Sequence, residues 1–352
     1  MTRKLLTAGR LTGVQALLLL LVPVVAGMFV GPYWVSELTL VGMYSLVIIG
    51  LNLFMGYAGQ VSLGQAGFFG IGAYTVGILS THFSLSPWLG LLAGAVLAAA
   101  VAWLLGAMTL HLMEHYLALA TLAFGIIADV AFQQLPLTGG NSGLYGIGSF
   151  ALPSGPLSAI GFLALAWALV ALGSWFVTRL VRSGAGTLLE AVRSSETATA
   201  LMGVDPAVVK RQAFVLSGVL AAVAGGLYAS FEGYIDPTVF TFALSINFVL
   251  MAVIGGLRSV YGAVLGAAAV EAINQILSFA GTNLDPAVSG ALQLTIYGLA
   301  LVVIMIFWPE GLVTGLRRRR GSAPRAVSAP AQTEGANTGE GPPQLTRGAE
   351  QP

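Results

Sequence analysis

The chain has 352 residues, 57% of them hydrophobic and only 8% charged, with a formal net charge of +1 and a mean hydropathy of +0.87. Soluble domains carry about 25% charged residues, so the composition excludes a fold covered by polar groups in water and points to lipid as the solvent. Cysteine is absent, which excludes disulfides, thiolate catalysis and Cys-metal sites.

Crossing about 30 Å of hydrocarbon takes roughly 20 apolar residues, and on that ruler the sequence predicts an all-α, polytopic membrane protein of about ten transmembrane helices. Arg3, Lys4 and Arg10 make a basic N-terminus, 1–10, ahead of an apolar run at 11–30. Because many spans follow, this run reads as an uncleaved first span and not as a signal peptide. Further runs lie at 38–56, 61–80, 88–110, 116–135, 158–178, 209–232, 243–257, 261–280 and 289–308. The run at 243–257 is short, and 61–80 is rich in Gly and polar residues, so either is expected to be re-entrant or broken. The 46 glycines sit mostly within apolar runs, where small residues let membrane helices approach closely. A membrane domain is thus expected over 11–316.

Two stretches do not read as spans. Residues 182–208 are polar and helix-permissive, the longest segment between two spans on the basic side. After Arg317 the chain is first basic, then rich in Gly, Ser, Ala, Pro and Gln; the tail 317–352 is expected to be disordered.

Charge placement tests the count. With the N-terminus inside, ten crossings put all 15 Lys and Arg residues on the cytoplasmic side, as the excess of basic residues in cytoplasmic loops requires. The C-terminus then also lies inside. Loops assigned outside carry only Glu37, Glu232, Asp236 and Asp285.

Most enzymatic chemistry fails on spacing. His111, Glu114 and His115 form an H-x-x-E-H pattern, but no third ligand is apparent and the segment falls at a span end. Gly140-Asn141-Ser142-Gly143 resembles a serine-protease turn, yet His82, His111 and His115 all precede Ser142, the wrong chain order for its base. The run reads as a turn. Neither Lys4 nor Lys210 follows a glycine, so no phosphate-binding loop exists and ATP energy would come from another chain.

What remains is polarity at membrane depth. Residues 50–75 read GLNLFMGYAGQVSLGQAGFFGIGAYT, bringing Asn52, Gln60, Ser62 and Gln65 into apolar surroundings. Such groups line a cavity or bond to neighbouring helices. Asp129 and Glu271 fall within predicted spans, where ionisable groups mark pathways or pairs; for Asp129 an interfacial position is the alternative. With midplane polar residues and interrupted spans, an ion-coupled secondary transporter is a competing class.

Several stretches in one order carry a resemblance: residues 50–75, YLALATLAFG at 116–125, LTGGNSGLYGI at 137–147, the long stretch 186–229 beginning GTLLEAVRSSETATALMGVDP, VIGGLRSVYGAVLGA at 253–267 and FWPEGL at 307–312. Together they resemble the membrane subunits of branched-chain amino acid ABC importers, the LivM-type permeases, over about residues 35–315. Ile126 and Asp129, the His111–Glu114–His115 set and Trp308 depart from the family pattern, and these departures bear on the substrate more than on the fold. The resemblance implies a non-enzymatic permease subunit in the bacterial inner membrane, without a cofactor of its own, since its partners bind the ATP. Implied partners are a second related permease, two cytoplasmic ATPases and an extracytoplasmic substrate-binding protein; no nucleic acid is implied. Branched-chain amino acids are the expected substrate class, with urea, short amides or aromatic acids open within the family. Asn52, Gln60, Ser62, Gln65, Thr121, Asp129 and Glu271 are the pathway candidates. Around Leu188–Gly203 a short helix is implied to press into the ATPase, with charges from Glu190, Arg193 and Glu196 and with Gly203 ending the helix.

Overall fold

The structure, a computed structural model, describes residues 20–27, 29, 31–110, 114–152, 155–281 and 298–299. The predicted spans at 11–30 and 289–308 lie mostly outside these residues, and the tail 317–352 lies wholly outside them.

The described chain is helical almost throughout. Residues 20–27 are helical. Helix α1 (Pro32–Leu51) opens with proline at its first position, where a missing N–H costs nothing, and runs on into a π-helical turn at Asn52–Tyr57. Then come α2 (Gln65–Thr81), α3 (Pro87–Thr109), α4 (Glu114–Gln134) and α5 (Ala159–Val181). The polar segment forms α6 (Gly184–Ser194) and α7 (Glu196–Leu201). Helix α8 (Pro206–Glu232) follows, its N-terminus capped by the Asp205 carboxylate, which accepts from the Ala207 N–H at 2.9 Å. Helices α9 (Phe242–Gly255) and α10 (Val260–Gly281) form a hairpin. Four two-residue strands interrupt the helical pattern: β1 (Leu144–Tyr145) pairs with β4 (Tyr234–Ile235), and β2 (Ala151–Leu152) with β3 (Gly155–Pro156), both antiparallel.

Among the described residues five segments are long and apolar enough to cross a membrane: Pro32–Tyr57, Pro87–Thr109, Tyr116–Gln134, Ala159–Val181 and Pro206–Glu232. Of the two doubtful spans, the first is broken and the second is a short, uninterrupted helix. The 61–80 run is non-helical up to Gly64 and helical only from Gln65. Helix α9 has 14 residues, and at 1.5 Å per residue spans only about 21 Å.

Small residues decide which helices meet. On α3 the buried positions Gly90, Gly94, Ala98, Ala102 and Gly106 recur every fourth residue and form one face, while Leu92, Val96, Leu97, Trp103 and Leu104 remain exposed. That division suits a helix with one packed face and one lipid face. At the crossing of α2 and α8 the approach is backbone to backbone. A Cβ on Gly72 would stand 1.8 Å from the Ala222 carbonyl oxygen, and one on Gly225 would stand 1.8 Å from that of Phe69. Only glycine permits this contact from both sides.

The ends of the bundle differ in charge. One end gathers residues 52–64, 181–210 and 256–260, with Arg179, Arg182, Arg193, Lys210, Arg211 and Arg258. At the other, β1 pairs with β4, the Gly148 N–H donates to Ser80 Oγ at 2.8 Å, and Trp88 Nε1 donates to the Ala151 carbonyl at 3.0 Å. Exposed aromatics sit near both ends: Tyr33, Trp34 and Trp88 at the second, Trp103, Tyr116 and Trp175 at the basic end. Interfacial aromatics are the mark of a bilayer boundary. The Arg211 and Arg179 guanidinium groups lie 5.3 and 5.0 Å from the rings of Trp103 and Trp175. Two 3₁₀ turns, Pro136–Thr138 and Gly140–Ser142, lie at the opposite end, with Gly139, Gly140 and Gly143 at positive φ.

Candidate functional site

The site lies where α1 stops being an α-helix. Over Asn52–Tyr57 the ladder widens to a π-turn, a feature frequent at functional sites. The Ala58 and Gln60 N–H groups still reach back to the Leu53 and Phe54 carbonyls, both at 3.2 Å. Beyond Ala58 the chain is non-helical to Gly64. Irregular backbone within a membrane layer is tolerated only where protein or a cavity satisfies it, and here protein does. The Leu63 N–H donates to Thr121 Oγ1 on α4 at 3.0 Å, and the Ala66 N–H to Ser245 Oγ on α9 at 2.9 Å. Gln65 Nε2 donates to Ser217 Oγ on α8 at 3.0 Å. Ser217 is the twelfth residue of α8, so α2 begins about 16 Å along that helix from its start.

Five of the seven pathway candidates therefore meet. Asn52, Gln60, Ser62, Gln65 and Thr121 are all buried around this break. Each of the three amides donates: Asn52 Nδ2 to the Ser259 carbonyl at 3.1 Å, Gln60 Nε2 to Glu196 at 3.5 Å, and Gln65 Nε2 to Ser217. Their oxygens, Asn52 Oδ1, Gln60 Oε1 and Gln65 Oε1, are buried without a partner among the described residues. A buried acceptor left open costs about 1–3 kcal/mol. The other two candidates stand elsewhere. Asp129 is half-buried on α4 and accepts from Gln133 of its own helix at 2.8 Å. Glu271 is half-buried on α10, beside the Asn274 side chain. Ile126, where the family pattern has an acid, is exposed on α4 and does not touch the break.

The polar segment locks onto the same region. The expected single helix at 188–203 is two helices, parted at Ser195, whose hydroxyl accepts from the Ala198 N–H at 3.2 Å and starts α7 afresh. Gly203 follows with φ +82°; its N–H bonds to the Ala200 carbonyl at 2.9 Å and the Val204 N–H to that of Thr199 at 3.4 Å, the paired bonds of a Schellman ending. Glu190, Arg193 and Glu196 each find a partner within the chain while remaining exposed. Glu190 pairs with Arg258 at the tip of the α9–α10 hairpin. Arg193 donates to the Gly56 carbonyl in the π-turn, its stem lying over Gly59, which has φ +73°. Glu196 pairs with Lys210 on α8. Tyr57 completes the junction by donating to the Arg258 carbonyl at 2.8 Å, beneath the Arg258 guanidinium. Beside these charges the segment also exposes large apolar residues: Leu188, and above all Leu201 and Met202 at 85% and 71% exposure.

Lys210, Arg258, Ser217 and Ser245 were not singled out as site residues from the sequence. Two carried a signal: Lys210 is one of two lysines, and Arg258 is the lone charge in its turn. The serines, single hydroxyls in apolar runs, carried none.

The H-x-x-E-H match begins at His111, outside the described residues. Among the described residues no group of three His, Asp or Glu side chains is placed to hold a metal.

Comparison with known proteins places this geometry. The profile of the family described as "Branched-chain amino acid transport system / permease component" matches residues 33–306. The chain is 33% identical, over 78% of its length and 68% of the relative's, to the high-affinity branched-chain amino acid transport system permease protein LivM of Escherichia coli K12. It is 23% identical to the probable LivM permease of Methanocaldococcus jannaschii, over 77% of this chain and 90% of that one. It is also 24% identical to the LivH permease of Escherichia coli K12, over 79% and 93%. No solved structure matches significantly. A bundle of apolar helices with a buried polar break, matched by the family profile along most of its length, is a multi-pass membrane transport subunit and not an enzyme: the chain belongs to the branched-chain amino acid transport permease family.

Proposed function

We propose that this chain is one membrane-spanning half of an ATP-driven importer for branched-chain or related amino acids. The observation that carries the reading is the contact between the polar segment and the break in the 61–80 span. An ordered, polar, two-helix segment at the basic end reaches the π-turn through Arg193 and the irregular backbone at Gln60 through Glu196, while Glu190 holds the α9–α10 tip. Substrate would pass beside Asn52, Gln60, Ser62, Gln65 and Thr121, where the open amide oxygens offer acceptors to an ammonium group. The chain has no phosphate loop. Two ATPase subunits would therefore dock on α6 and α7 through Leu188, Leu201 and Met202, with Glu190, Arg193 and Glu196 acting from behind that contact. A second related permease and a substrate-binding protein complete the assembly, in the cytoplasmic membrane with both termini on the cytoplasmic side. The domain plan follows: a short N-terminal segment 1–10, the membrane domain 11–316 with its coupling segment 182–208, and the tail 317–352.

An uptake panel with the reconstituted complex tests the substrate class. Leucine, isoleucine and valine should compete with one another for uptake. Selective uptake of urea, short amides or aromatic acids, with no competition from leucine, would move the chain to another substrate within the family.

A further inference from the structure

Lys210 is 1% exposed, at the fifth residue of a helix whose start lies at the basic end. Lysine is almost never buried so fully without a partner, and its ammonium meets the Glu196 carboxylate through Oε1. That same oxygen accepts from Gln60 Nε2, in the non-helical break, at 3.5 Å. One atom of α7 thus holds both α8 and the 58–64 break. Glu196 itself is half-exposed, 51%. Stability alone does not account for such a pair, since a buried ion pair replaced by apolar residues of similar volume is often neutral or more stable. A methionine would fill the place of Lys210 without needing Glu196 at all. What the ion pair adds is direction: α7 moves only with α8 and the break attached.

We infer that Glu196 is a latch, with Lys210 and Gln60 as positioning residues, which passes displacement of the polar segment to the broken span. The inference rests on the transport reading above and concerns how this chain's own residues carry the motion.

The test uses the full complex in proteoliposomes and three readouts: uptake, ATP hydrolysis, and recovery of ATPase with the permease. Variants are Glu196→Gln, Lys210→Met and the swap Glu196→Lys with Lys210→Glu. With the latch lost, hydrolysis continues and the ATPase still co-purifies, but substrate moved per ATP falls roughly tenfold, the scale of losing one charge-assisted contact. The swap restores that ratio in part, which a merely structural role for either residue would not produce. Glu196→Gln keeps its size on a half-exposed site and so reports even if Lys210→Met assembles poorly. The inference is overturned if uptake falls only in step with lost ATPase, because Glu196 then belongs to the contact between chains. An unchanged ratio in Glu196→Gln beside a transporting wild type also overturns it, alone. A wild-type complex with no ATP-driven uptake overturns the transport reading and takes the latch with it.

Discussion

Gly72→Ala is the most stringent test of the packing. An added Cβ would stand 1.8 Å from the Ala222 carbonyl oxygen, about 1.5 Å inside an ordinary carbon–oxygen contact. Both partners are backbone, so no side chain can swing away; α2 and α8 must separate by that amount. A gap of 0.5–1 Å already forfeits about a quarter to a half of each dispersion contact across an interface. The same movement would open the packing of Gly218 on Phe68 and of Gly226 on Val76. Overpacking costs about 1–3 kcal/mol, and with backbone on both sides the upper end applies. On the scaling of larger soluble domains that is a fall of roughly 6–12 °C in the unfolding midpoint, read by thermal unfolding of the purified chain in detergent. Gly184→Ala is the control: nothing lies within 4 Å of its Cβ and its φ is ordinary, so its stability should stay within about 0.5 kcal/mol of wild type. If Gly72→Ala unfolds at the same temperature as Gly184→Ala, the close approach of α2 and α8 is wrong.

Gly203→Val also has open space around it, but φ is +82°; the cost is conformational, about 1–2 kcal/mol, and should reduce uptake while Gly203→Asn is milder. Equal uptake in all three would remove the Schellman ending from the coupling path. Because the chain lacks cysteine, single cysteines at Ser86, Ser142 and Ser195 can be labelled without background; the first two should react with an impermeant reagent from one face of the membrane and Ser195 from the other, and labelling of all three from one face would break the topology. Asp129→Asn and Glu271→Gln should insert normally and leave uptake near wild type, since neither touches the break; a loss of uptake at normal expression would put that residue on the path. Asp236 accepts from the Thr238 N–H, which together with the Thr238 side chain holds its carboxyl below the usual range. A group with a lowered folded pKa adds stability above its unfolded pKa and loses it as pH falls through the folded one. Protection of the 234–241 amides, after division by the intrinsic pH-dependent exchange rate, should therefore fall only below about pH 4, and a loss of protection centred near neutral pH would contradict the cap.

Much of this architecture was legible in the sequence because lipid makes its demands through composition. Apolar runs near 20 residues became α3, α4, α5 and α8 within three residues of their expected limits, while α1 begins six residues before its expected start, at Pro32. The irregularity of 61–80 was legible as Gly59, Gly64, Gln60 and Gln65 crowded into an apolar setting. The short 243–257 run was legible by length alone. What stayed hidden was direction. A charged residue on a short polar helix looks the same in sequence whatever it contacts, and the bonds of Glu190, Arg193 and Glu196 to Arg258, Gly56 and Lys210 have no local pattern. Rotation was hidden in the same way: Asp129 and Glu271 fall in spans as Gln65 does, but their neighbours depend on how each helix is rotated, which no run of hydropathy specifies. The β1–β4 pairing joins residues some ninety apart, beyond any local pattern.

The most direct measurement is the energy source for uptake. Proteoliposomes holding the complex should be compared with vesicles holding this chain alone, under ATP or under an imposed proton or sodium gradient. Uptake of labelled leucine is expected only in the complex and only with ATP inside the compartment that the basic end faces. Accumulation by the chain alone on an ion gradient, without ATP, would contradict the account.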